Sequence, residues 1–182
     1  MTERLTLFED RPYLQFCPHC GKSTLNRPIV QRLMCRSCGF KLYFNAASAV
    51  IALITDGLGR LLVTTRAREP AKGSLGLPGG FVDLGETAEQ ALSREIMEEL
   101  KAELVSARYF CTEPNIYPYK GVTYVTVDMA FLCEVSAPER VEPADDVQAI
   151  QWLYPNQIRP EDFGLVSMRN IMRRFLAQGQ VS

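Results

Sequence analysis

Three glutamates, Glu95, Glu98 and Glu99, stand at positions i, i+3 and i+4. On an α-helix such side chains share one face, where like charges repel and weaken an isolated helix. Taken alone, the trio reads as a solvated helix face. With a compensating cation it becomes a site for a hard divalent metal, because carboxylate oxygens select Mg²⁺, Mn²⁺ or Ca²⁺ over softer ions. Arg94 directly precedes the cluster and can orient a carboxylate through paired N–H bonds. Glu86, eight residues before Arg94, can meet it across a loop–helix junction. Ahead of these stand Gly79 and Gly80, whose missing Cβ atoms let backbone groups approach a ligand or metal closely.

A second constellation lies near the start of the chain. Cys17-Pro-His-Cys20 and Cys35-Arg-Ser-Cys38 form C-x2-C-x14-C-x2-C, a spacing that suits tetrahedral Zn²⁺ in a small ribbon. Gly21 and Gly39 each follow a pair directly, where a knuckle turn wants a flexible residue. Four thiolates leave no open coordination position, so the expected zinc is structural. His19 is expected to point away, and Cys111 and Cys133 to be buried apolar residues.

The elements that must position these groups can be sketched from patterning. Residues 1–45 are expected to be an N-terminal segment and the zinc ribbon, with 1–12 giving no structural signal and Tyr13–Asn45 carrying the cysteines. Residues 46–182 form the larger domain. Ala49–Ile54 is a short apolar run typical of a buried strand, and 60–66 a second strand, joined by the turn Asp56-Gly-Leu-Gly59 into an expected hairpin. A long glycine-bearing loop over 67–85 follows, of a length that is usually functional. A helix is predicted over Glu86–Lys101, with Leu84, Ala88, Ala91, Leu92, Ile96 and Leu100 as its apolar side. Strands over 104–111, 121–135 and 147–153 and a C-terminal helix through Val166, Ile171, Met172, Phe175 and Leu176 complete an α+β pattern. Tyr117–Gly121 reads as a turn and Trp152 as core. Asp128 lies among apolar strand residues and must be exposed or paired.

The stretch Gly80 to Glu99 resembles the Nudix box, G-x5-E-x7-R-E-U-x-E-E-x-G-U with U bulky and aliphatic. It matches at Gly80, Glu86, Arg94, Glu95, Ile96, Glu98 and Glu99. It departs at Lys101, in place of glycine, and at Ala102. The resemblance implies a Nudix α/β/α sandwich with a mixed sheet and a Mg²⁺- or Mn²⁺-dependent hydrolase that breaks a P–O–P link. It implies Glu95, Glu98, Glu99 and the Gly79 carbonyl as metal ligands, with Arg94 and Glu86 orienting them. The water-activating base varies in the family, and the candidates are Glu98, Glu113, Glu142, Asp145 and Asp146. Arg66, Arg68, Gly80, Tyr117 and Asp128 are the expected substrate contacts. A zinc ribbon before such a domain is similar to the NADH pyrophosphatase branch. This chain nevertheless reads Glu113-Pro-Asn-Ile-Tyr-Pro-Tyr119 where that branch carries Ser-Gln-Pro-Trp-Pro-Phe-Pro. ADP-ribose and nucleotide sugars therefore fit as well as NAD(H).

The net charge of −1 over 182 residues gives no global field toward nucleic acid or anionic lipid. A small nucleotide is the expected partner, and a homodimer the expected assembly by family analogy. No membrane span or secretion signal is read, and paired cysteines without one point to a reducing cytoplasm. Two other readings stand beside the enzyme. One is a Nudix-fold ligand sensor; the other is an RNA-binding or decapping protein that uses its zinc ribbon. Mg²⁺-dependent turnover separates them.

Overall fold

The structure, a computed structural model, describes residues 14–29, 32–120 and 122–178. Residues 1–12, Tyr13 and Gly121, the expected first residue of one strand, lie outside them. The chain divides into two compact units, Met1–Asn45 and Ala46–Ser182.

The smaller unit holds an antiparallel three-stranded sheet of β1 (Leu25–Ile29), β2 (Arg32–Cys35) and β3 (Lys41–Tyr43) in that order. Arg32 faces Tyr43 and Met34 faces Lys41 across the β2–β3 ladder. Leu33, on the opposite side of β2, is buried.

The larger unit runs β4 (Ala47–Ile54), β5 (Leu61–Arg66), β6 (Leu75–Gly76), α1 (Ala88–Leu100), β7 (Leu104–Tyr119), β8 (Val122–Val135), β9 (Val147–Leu153) and α2 (Val166–Gln178). It contains two sheets. One is mixed, in the order β4-β8-β7, with β4 parallel to β8 and β7 antiparallel to it. The other is antiparallel, in the order β6-β5-β9.

Alternation along β4 and β5 explains why two helices are needed. Val50, Ala52, Ile54 and Leu62 pack with Ala91, Leu92, Ile96 and Leu100 of α1. Ile51, Leu53, Leu61 and Val63 pack with Met168, Ile171 and Met172 of α2. Both strands are therefore apolar on two faces and read as continuous runs. Each fully buried Leu or Ile contributes roughly 1.5–3 kcal/mol of transfer free energy. These layers form the α/β/α arrangement, with no helix among the described residues long and apolar enough to cross a membrane.

Several local expectations change. The turn after β4 forms, with the Asp56 carboxylate accepting from the Leu58 and Arg60 amides. Beyond the single bridge Thr55–Leu61, β4 and β5 part into different sheets rather than forming a hairpin. Helix α1 starts at Ala88, not Glu86, because Thr87 caps it: its hydroxyl accepts from the Gln90 amide while the Gln90 side chain accepts from the Thr87 amide. Leu84 precedes the helix and is fully exposed. Tyr117 lies inside β7, opposite Tyr124, and not in a turn. Val166 is exposed, off the packed side of α2. Trp152 is half-buried, with the Arg60 guanidinium 5.9 Å over its ring. Lys101 ends α1 in the left-handed region at φ 55° and its N–H donates to the Met97 carbonyl, so a lysine meets the turn for which the motif has glycine.

Candidate active site

Residues 78–82 run beside β4 as an extra, irregular strand. The amides of Val50 and Ala52 donate to the carbonyls of Gly80 and Pro78, and the Val82 amide donates to the Ser48 carbonyl. Gly79 has φ 136°, and a Cβ there would fall 2.1 Å from the Val50 carbonyl oxygen. At Gly80 a Cβ would fall 2.4 Å from Oε1 of Glu95. Both glycines are thus required by proximity, one to the sheet and the other to a carboxylate.

The acidic face of α1 is organised by a single cation. Arg94 donates from Nε and Nη2 to the two Glu86 oxygens at 2.8 and 2.9 Å. It donates from Nη1 to Glu95 at 2.8 Å and Glu98 at 3.1 Å, and from Nη2 to the Phe81 carbonyl. One guanidinium therefore ties the loop to two carboxylates of the trio. Arg94 holds the Glu86 carboxyl below its ordinary range. Glu95 is raised, chiefly by burial, which the Arg94 bond offsets only in part.

Glu99 is treated differently. It is 8% exposed, and Oε2 accepts from the Gly79 amide at 2.9 Å. Burial, reinforced by the charges of Glu95, Asp146 and Asp145, pushes its carboxyl up to about 8 despite the Gly79 bond. Asp145 and Asp146 reach this place because their loop is tied to the end of α1, where the Glu142 and Ala144 amides donate to the Leu100 and Glu99 carbonyls. Four carboxylates around one buried position form a site whose negative density a divalent cation would relieve.

These groups line one cleft of about 270 Å³. Gly79, Glu95, Glu98 and Glu99 are all on its wall, as are Arg66, Arg68, Gly80, Tyr117 and Asp128. Glu86 is not, and acts on it through Arg94. Of the candidate bases, Glu98, Asp145 and Asp146 line the cleft. Glu142 does not, and Glu113 is buried elsewhere against Arg174 at 2.6 Å and Asn170 at 3.2 Å. Arg68 pairs with both Asp145 and Asp146 on the cleft wall, and Arg66 donates to the Pro70 carbonyl.

The cleft wall also carries polar and aromatic residues, Asp128, Thr126, Asn115, Phe81 and Tyr117. Asp128 is 3% exposed and accepts from Thr126 and Ser167 hydroxyls at 2.5 Å each, so it is paired, as its burial demands. Asn115, opposite Thr126 on β7, is buried with Oδ1 unpartnered among the described residues. Phe81 meets Tyr117 edge-on at 5.6 Å. The sequence reading assigned no role to Asn115, Thr126 or Phe81. The available signal was the amide of Asn115, between Pro114 and Ile116 and beyond the strand expected over 104–111.

The four cysteines of the smaller unit bring their sulfurs within 4.8 Å of one another. The Cys17–Cys38 and Cys20–Cys35 separations are both 3.7 Å. A tetrahedron with metal–sulfur bonds of about 2.3 Å has edges of about 3.8 Å, whereas a disulfide would be about 2.05 Å. The two knuckles are built alike: Gly21 and Gly39, at φ 72° and 76°, donate to the Cys17 and Cys35 carbonyls. Thr24 bonds the Cys35 sulfur at 3.0 Å and holds that thiol down to about 6, favouring the thiolate that a metal binds. His19 stacks on Phe40 instead.

Residues 45–175 match the family model of the NUDIX domain. Among curated proteins, the chain is 28% identical over 148 residues to the NAD-capped RNA hydrolase NudC of Haemophilus influenzae, covering 81% of this chain and 54% of that one. It is 26% identical over 166 residues to the protein of that name from Pseudomonas syringae, covering 90% and 56%. The chain thus spans about half the length of these relatives. Among solved structures, a NUDIX hydrolase from Nitrosomonas europaea superposes with a TM-score of 0.69 at 22% identity, covering 92% of this chain and 93% of the other. The NUDIX domain of Shewanella oneidensis NrtR, complexed with ADP ribose, superposes with a TM-score of 0.58 at 18% identity, covering 77% and 91%.

Proposed function

The chain belongs to the NUDIX family, and on that premise we propose that it is a Mg²⁺-dependent pyrophosphohydrolase acting on a nucleoside diphosphate linked to a second moiety, with NAD(H) and ADP-ribose as substrates. The observation that carries the reading is the convergence of Glu95, Glu98 and Glu99 on one cleft, with Arg94 bridging two of them and Gly79 holding the third. Names of the curated relatives support an NAD-linked substrate, and the ADP-ribose complex of a similar fold supports the nucleotide class.

Glu95, Glu98, Glu99 and the Gly79 carbonyl would hold Mg²⁺ or Mn²⁺; their hard oxygens and the crowded charge at Glu99 fit such an ion. When bound, the metal neutralises phosphate charge and lowers the pKa of water. The protein's own part is positional. Arg94, anchored by Glu86, fixes the Glu95 and Glu98 carboxylates. Glu98, Asp145 and Asp146 are the groups within the cleft able to take a proton from the attacking water, and Glu98 is the one Arg94 orients. Arg66 and Arg68 supply positive charge for the diphosphate, with Arg68 exchanging its aspartates for phosphate. Phe81 and Tyr117 offer faces to a base, and Asp128, Thr126 and Asn115 offer polar atoms to the nucleoside.

The four-cysteine cluster fits structural Zn²⁺. Residues 1–45 then form an N-terminal segment with a zinc ribbon and 46–182 the hydrolase domain, in a cytoplasmic homodimer. Two measurements test the assignment. A Mg²⁺ turnover panel of NADH, NAD⁺, ADP-ribose, FAD, diadenosine polyphosphates and nucleoside triphosphates, with products identified by mass, should give a nucleoside monophosphate from the diphosphate-linked substrates. Glu98→Gln should abolish turnover with the fold intact. Tight binding of ADP-ribose without any turnover would favour a ligand sensor instead.

A further inference from the structure

Charge is distributed unevenly along this chain. Residues 14–45 contain five Lys or Arg and no Asp or Glu, while the whole chain sums to −1, so the remaining residues carry −6. Four thiolates around a divalent metal subtract two charges, which still leaves this stretch positive. The strand registers say where part of that charge lies. Residues opposite one another in an antiparallel pair, and residues two apart along a strand, share a face. Asn26 pairs with Met34, Met34 with Lys41, and Arg32 with Tyr43. Asn26, Arg32, Met34, Lys41 and Tyr43 therefore share one face of the β1-β2-β3 sheet, and Leu33, paired with Leu42, lies on the other.

That face has a specific chemistry. Tyr43 is 54% exposed and Lys41 is exposed. Arg32, half-buried, pairs with Tyr43 across the ladder and adds a second cation to this face. A sheet face that presents an exposed aromatic ring beside two cations is a stacking platform for bases with charges for the backbone. The exposed Tyr43 ring can stack on a base, a contact that an anionic lipid headgroup does not offer. We propose that this face of the four-cysteine unit is a docking surface for single-stranded nucleic acid, separate from the cleft and independent of the chemistry proposed for it.

The test uses the full chain and fluorescence anisotropy with mixed-sequence 20-nucleotide single-stranded RNA and DNA, with phosphatidylserine-containing vesicles as a third arm. Binding to either oligonucleotide is expected, and the RNA and DNA arms identify which strand is preferred. Arg32→Gln with Lys41→Gln should weaken binding at least tenfold and make the slope of log affinity against log salt shallower by about 1.4, two lost phosphate contacts at about 0.7 each for a single strand. Tyr43→Ala should weaken binding about tenfold through lost stacking, while Tyr43→Phe and Lys41→Arg should bind as the parent does. Zinc content and melting temperature verify folding, and turnover of free ADP-ribose should not change. Absence of binding at 50 mM salt would overturn the proposal. So would binding that survives the double and Tyr43→Ala variants, or binding to vesicles alone.

Discussion

The backbone N–H of Gly79 donates to Oε2 of Glu99 at 2.9 Å, so the glycine loop holds the most buried carboxylate of the cleft. The bond limits the cost of burying that group without removing it, and the carboxyl stays raised from 4.5 to about 8. Between these values the folded protein keeps a proton that the unfolded chain releases. Linkage then makes stability fall as pH rises across that window, by at most about 1.4 kcal/mol per pH unit for one proton. The metal-free protein should therefore melt at lower temperature at pH 8 than at pH 5.5, and Glu99→Gln should flatten that trend. Added Mg²⁺, which competes with the proton, should raise the melting temperature more at pH 8. Parallel pH trends in parent and variant would contradict the assignment.

Arg94 makes four side-chain bonds and one backbone bond, a geometry that lysine cannot reproduce. Arg94→Lys should lower kcat by roughly 10–100-fold, as losses of ligand-orienting groups do. Glu86→Gln should do the same to a lesser degree. Circular dichroism should show an unchanged fold, and steady-state kinetics with an ADP-ribose substrate provide the measurement.

The adjacent glycines should fail differently. In Gly79→Ala the new Cβ meets backbone that cannot move aside, at a positive φ. Strain of about 1–3 kcal/mol is expected, or a fall of about 3–10 °C in melting temperature for a chain of this size. In Gly80→Ala the clash is with the end of the Glu95 side chain, which can rotate away at the cost of its Arg94 bond. Activity should fall there with little change in melting. Equal effects of the two on stability would show that Glu95 is not free to yield.

Elemental analysis should find about one zinc per chain. Cys35→Ser should lose it and melt earlier, as should the parent treated with a strong chelator. A metal-free protein with an unchanged melting profile would rule out a structural zinc.

Local patterns carried most of the site in advance. The i, i+3, i+4 glutamates, Arg94 and Glu86 were legible because one helix and its entry loop hold them. Pairing between distant segments was not. The Asp56–Arg60 turn is real, yet β4 takes β8 as its partner and β5 takes β9, choices that no local spacing encodes. The strand expected over 104–111 stopped short of Asn115, and Tyr117 was read in a turn, whereas β7 runs on to Tyr119. Pro114 and Pro118 would interrupt a central strand, but β7 is the outer strand of its sheet, where proline is tolerated. The departure at Lys101 proved locally benign, since the turn forms with a side chain present.

Those prolines also protect the edge they occupy. A sixteen-residue outer strand offers a long row of backbone donors and acceptors, a template on which a second chain could nucleate fibrous aggregation. Pro114 and Pro118 have the same parity, so both delete an N–H on one side of that row, and the register shift at Tyr109–Cys111 bends what is left. Replacing both by valine would restore the template, and turbidity during prolonged warming should appear sooner.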